Sequence, residues 1–120
     1  MPTRPLFALV LLAAPAAAAE PLPETLIGGW GFTEDACAGG PGAEGYLELT
    51  ATEARFYEST GTLQGWAPEE AGIVADFAFS GEGETWTRSI YLELAEDGAT
   101  LYRIDLGEPR GIPLAYIACT

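Results

Sequence analysis

The chain has no histidine and no lysine, and only two cysteines in 120 residues. Without an imidazole or an amine, the usual nucleophile–base sets cannot be assembled, and arginine alone is left to depress a thiol's pKa. A carboxylate pair of the kind used in glycoside hydrolysis remains, but a domain this small offers little cleft for a sugar chain. The sequence is therefore read as non-enzymatic, with no cofactor. Positive charge is scarce as well: 5 Lys and Arg face 18 Asp and Glu, a formal balance of −13. Nucleic acid and anionic lipid both need a cationic face and are excluded as partners. A cationic protein would be steered toward such a surface, although acidity of this kind also serves solubility alone.

Long apolar runs are missing beyond the first residues. "MPTRPLFALVLLAAPAAAAEP" reads as a cleaved signal peptide over residues 1–19. Arg4 supplies the charged start, Leu6 to Leu12 the apolar centre, and Ala17-Ala18-Ala19 the small-residue cleavage site. The run falls short of the roughly 20 residues a membrane helix requires, so no membrane span is expected and the location is read as periplasmic or secreted. Loss of Arg4 with the leader takes the balance from −13 to −14. Residues 20–120 then form one domain, with 20–25 as an extended, proline-rich lead. In an oxidising compartment Cys37 and Cys119 read as a disulfide closing most of the domain. The chain-entropy model assigns such a loop about 4–5 kcal/mol.

What the chain does have is short β-type runs punctuated by glycine-containing turns. Strands are expected near residues 29–33, 45–50, 54–58, 62–66, 72–80, 85–95, 100–106 and 114–119. Glu96-Asp97-Gly98 marks a hairpin, and residues 35–45 read as a long flexible loop tethered by Cys37. The fold class is all-β: an antiparallel meander of about eight strands closing as a barrel or sandwich, which removes exposed edges. The bridge would join the first strand to the last.

"SGEGETWTRSIYLEL", residues 80–94, is the most patterned stretch. Glu82-Gly83 sits between two alternating strands and needs only a hairpin turn to explain it; two glutamates fall short of the six to eight oxygens of a calcium site. No metal site is expected. Beyond the turn, Trp86, Arg88, Ile90, Leu92 and Leu94 share one face, answered by Ile73, Ala75, Phe77 and Phe79 on the preceding strand. A charge on an apolar face must meet a carboxylate or reach water. Glu58 shares a face with Phe56 in "ARFYES" and is the expected partner of Arg88, in an inner ion pair. Trp30, Phe56, Phe77, Phe79 and Trp86 are candidate core or pocket aromatics.

"LIGGW", "RFYES", "SGEGETWTR" and "AYIACT" together resemble a group of small exported bacterial proteins of unknown function, over nearly the whole of residues 20–120. Members of that group carry a second cysteine pair, after "FYES" and before "GEGE". Here those neighbourhoods hold Thr60-Gly61 and Phe79-Ser80, so a second bridge is absent. A fainter resemblance, limited to the Gly-Gly-Trp strand and the early cysteine, is to small β-barrel metalloprotease inhibitors. It implies that "EPLPETLIGG" would enter a protease cleft. The expected function is a non-catalytic β-barrel binding domain for a protein or a small apolar ligand. Its alternatives are an inhibitor of an exported hydrolase, either a metalloprotease or a basic lytic enzyme, and a structural envelope protein.

Overall fold

The computed structural model describes residues 19–120. Apart from Ala19, the leader expected over residues 1–19 lies outside them. Eight strands form a closed barrel in sequence order: β1 Gly28–Gly31, β2 Tyr46–Leu49, β3 Glu53–Arg55, β4 Thr60–Glu69, β5 Gly72–Gly81, β6 Glu84–Leu94, β7 Thr100–Asp105 and β8 Leu114–Ala118. Every neighbouring pair is antiparallel, and β1 meets β8 through Trp30 opposite Ala118 and Gly31 opposite Ile117. Closure is by a barrel, so no edge strand is left unpaired.

Alternation decides what fills the barrel. Trp30 on β1, Leu47 and Leu49 on β2, Ala54 on β3 and Leu63 on β4 all point inward and are buried. So do Ile73, Ala75, Phe77 and Phe79 on β5, with Ile90 and Leu92 on β6, Leu101 on β7 and Tyr116 on β8. On β4 the register skips at Gln64: Leu63 faces Phe77, but Gly65 faces Asp76. This bulge moves Trp66 opposite Ala75 and onto the core side, although it lies three residues beyond the inward Leu63.

The turns follow their residues. Glu82 and Gly83 link β5 to β6 with φ of 49° and 80°, the double positive φ of a two-residue hairpin turn of type I′. At the next hairpin the Asp97 carboxylate accepts from the Ala99 and Thr100 amides, and Gly98 takes φ 71°. Those backbone bonds, led by that from Ala99 and opposed by partial desolvation, hold the Asp97 carboxyl below its ordinary range.

Two segments differ from expectation. Residues 35–45 are not a flexible loop: α1, Glu34–Gly39, opens them and a 3-10 turn, Gly40–Gly42, continues. Thr33 Oγ1 accepts from the Ala36 amide at 3.1 Å, with Glu34 and Asp35 in the first turn, a capped and charge-favoured helix start. The Cys37–Cys119 disulfide then ties α1 to the chain just beyond β8, across a separation of 82 residues. Gly31 permits this approach, since a Cβ there would lie 2.7 Å from Cys37 Sγ.

The lead at 20–25 is likewise not simply extended. A 3-10 turn spans Glu24–Leu26, and Leu22 and Leu26 are buried in the core at 2% and 4% exposure. The Leu22 amide donates to Ala51 O, Trp66 Nε1 to Pro21 O, and Trp30 Nε1 to Leu26 O. Ala51 and Trp66 lie toward the end of the barrel where β2, β4 and β6 finish, so this segment seals that end. Full burial of each leucine contributes about 1.5–3 kcal/mol.

Candidate functional site

The opposite end, where β3, β5 and β7 finish, is open. A cavity of about 170 Å³ there is lined by Phe56, Ser59, Phe79, Trp86, Arg88, Ile90, Arg103 and Asp105. The side chains on β5, β6 and β7 arrive by strand parity, and Phe56 and Ser59 come from the turn between β3 and β4. Phe79 and Trp86 stand opposite each other across the β5–β6 ladder and stack at 5.5 Å with their planes 7° apart. Phe56, the residue after β3, tilts against Phe79 at 5.8 Å. Gly61 on β4 makes room for the Phe79 ring, because a Cβ there would fall 2.7 Å from it.

The polar side of the cavity comes from β7. Arg103 and Asp105 follow the buried Leu101 at intervals of two, and so share the inner face. Arg103 Nε and Nη2 each donate to an Asp105 oxygen at 2.9 Å, a bidentate pair, and Nη1 donates to the Tyr116 hydroxyl. Its guanidinium also lies 4.6 Å from the centre of the Phe56 ring, a cation–π contact. Phe32 in turn stacks on Tyr116 at 4.4 Å.

Partial burial opposes ionisation of Asp105, but the Arg103 hydrogen bonds and charge, with Arg88 adding to them, outweigh it and hold the carboxyl below its usual range. The same balance raises Arg103: desolvation acts against its charge and the Asp105 bond more than compensates. At Tyr116 burial wins, pushing the hydroxyl up against the opposing pull of Arg103.

Arg88 takes a different part. It does face the barrel's inner side, but its carboxylate is Asp105, at 3.5 Å, and not Glu58. The expected Glu58–Arg88 pair fails because β3 ends at Arg55. The chain then turns, Phe56 N donating to Ser59 O, and strand parity no longer carries Glu58 inward with Phe56. Glu58 is exposed at the rim instead. Its carboxyl is pushed upward by a shared hydrogen bond with Glu82, by the Glu82 charge, by slight desolvation and by the charge of Glu44. The Arg88 contact with Asp105 is made by Nη1 alone and is longer than those of Arg103, and the Arg88 side chain is 42% exposed.

Of the aromatics singled out from sequence, Phe79, Trp86 and Phe56 line the cavity, while Trp30 and Phe77 are wholly core. Cys37 and Cys119 are bonded to each other and do not line the cavity. Arg103, Asp105, Tyr116 and Ser59 were not anticipated. For Arg103 and Asp105 the signal was present: "LYRID" places both on the face of Leu101.

Among the described residues no group of three or more His, Cys, Asp or Glu side chains is arranged to hold a metal ion, and no helix is long and apolar enough to cross a membrane. The architecture defines a closed, eight-stranded, up-and-down antiparallel β-barrel held by one disulfide. No family model matches the chain, and no curated protein or solved structure matches it.

Proposed function

We propose that the protein is an exported, non-catalytic β-barrel binding domain that takes a small apolar group into its open mouth. The observation that carries this reading is the asymmetry of the barrel. One end is packed shut by Leu22 and Leu26, whereas the other holds a cavity of about 170 Å³ walled by Phe56, Phe79 and Trp86. An apolar cavity of about 150 Å³ is enough to take up benzene, so the space suits one ring-sized group. The leader-like residues 1–19 and the disulfide support export.

An inhibitor of an exported hydrolase is the second reading, favoured by an outer groove in which Glu69, Glu70 and Glu93 outnumber the single cation Arg110, with Tyr91 beside them. Tyr91 donates to Glu93 at 2.6 Å, and that bond, with desolvation and the surrounding carboxylates, pushes its hydroxyl up to about 12. A basic enzyme would be steered to such a face. Insertion of the N-terminal segment into a protease would first require withdrawing Leu22 and Leu26 from the core, so this form of inhibition would use the groove instead.

Calorimetric titration with benzyl alcohol, an uncharged ring-sized probe, tests the main reading. Saturable binding by the native protein and its loss in Ser59→Trp, which fills the cavity from its rim, are expected. Absence of binding, or binding untouched by the filling substitution, would refute it.

A further inference from the structure

Two arginines line the mouth, and their donors are unequally used. Arg103 spends Nε and Nη2 on Asp105 and Nη1 on Tyr116, with its face against Phe56. Both Asp105 oxygens are thereby engaged with Arg103. Arg88 reaches one of them through Nη1 alone, at the longer distance of 3.5 Å. Two guanidinium charges against one carboxylate leave the lining of the cavity at a formal +1, in a chain whose total is −13.

An arginine fork that presents free donors beside an aromatic wall is a carboxylate receptor, since its donors match two carboxylate oxygens. Its surroundings narrow the ligand further. Glu82 and Glu44 lie close enough to Glu58 at the rim to act on its carboxyl, and this acidic rim repels any anion, a dianion such as a phosphate ester most strongly. The apolar part of the cavity, Phe79, Trp86 and Ile90, accepts one ring and little more.

We infer that the barrel mouth is a site for a monocarboxylate bearing a single ring-sized apolar group, with Arg88 holding the carboxylate and the Phe79–Trp86 stack holding the ring. This rests on the mouth being a binding site, and it adds that the ligand is an anion. Two sources offer that chemistry: a free aryl acid, or the C-terminal phenylalanine of a peptide chain.

The experiment compares matched probes by calorimetry at low salt: benzoate against benzyl alcohol, and a short peptide ending in free phenylalanine against its C-terminal amide. Each carboxylate is expected to bind at least about tenfold more tightly than its neutral counterpart, given the strength of charge-assisted bonds. Arg88→Met should abolish that preference while still binding benzyl alcohol, which reports that its cavity is intact. Whichever carboxylate binds more tightly identifies the source. Equal affinity for acid and alcohol in the native protein overturns the inference and leaves the binding reading standing, whereas failure of every probe overturns both. A carboxylate preference that survives in Arg88→Met also overturns it. Should that variant bind nothing, the native acid-to-alcohol ratio alone decides.

Discussion

Asp105 holds Arg103 inside the barrel, and its removal would leave a guanidinium that is only 15% exposed without an anion. Stripping one partner from such a pair costs several kcal/mol when fully buried and little at the surface. Asp105→Asn is therefore expected to lower unfolding stability by about 2–3 kcal/mol, and Arg88→Met by less than about 1 kcal/mol, in urea titrations. The sign of the pH dependence follows from the lowered Asp105 carboxyl. Its contribution is complete above the ordinary carboxylate value near 4 and fades as pH falls through the lower folded value. Glu58 behaves oppositely, because its carboxyl is raised. Glu58→Gln should stabilise the fold near neutral pH, with the gain shrinking as pH falls through that raised value. Thermal melts across pH would show it, and a gain that grew in acid would refute the repulsion. The inward face of Arg88 was legible in "WTRSIYL", because parity holds along one strand. Its partner was not, because parity says nothing after a turn, and Phe56-Tyr57-Glu58 begins one.

At the scale of elements, all eight strands were readable from alternation, glycine turns and spacing, with the largest shifts, of three residues, on β3, which stops at Arg55, and β4, which runs on to Glu69. Two pieces were hidden for different physical reasons. The six-residue α1 is too short to show helical periodicity and ends among glycines; only Thr33 followed by two acids announced it. The N-terminal segment reads as an extended lead because of its prolines, yet Leu22 and Leu26 are buried in the barrel's end. Leu26→Ala is expected to cost about 2–4 kcal/mol in chemical denaturation. A change below about 0.5 kcal/mol would mean that the segment does not seal the core. The bulge at Gln64 was equally invisible, since nothing in "TLQGW" says that Leu63 and Trp66 face the same way.

For the whole molecule, closure and cross-link act on the same seam: β1 pairs with β8, and Cys37–Cys119 bridges residues just outside both. With the cysteines separated by 82 positions in sequence, the double substitution Cys37→Ser with Cys119→Ser should lower stability by about 4 kcal/mol. The central claim is that one end of the barrel is shut and the other receives a ligand, and the three indoles are placed to report on each. Trp30 Nε1 and Trp66 Nε1 are bonded to Leu26 O and Pro21 O, on the sealed side, whereas Trp86 lines the open cavity. The most direct measurement is the ¹⁵N–¹H correlation spectrum of the three indole groups during titration with benzyl alcohol. The Trp86 resonance should move saturably while those of Trp30 and Trp66 stay in place; movement confined to Trp30 or Trp66, or no movement of Trp86 at the highest probe concentration, would contradict the account.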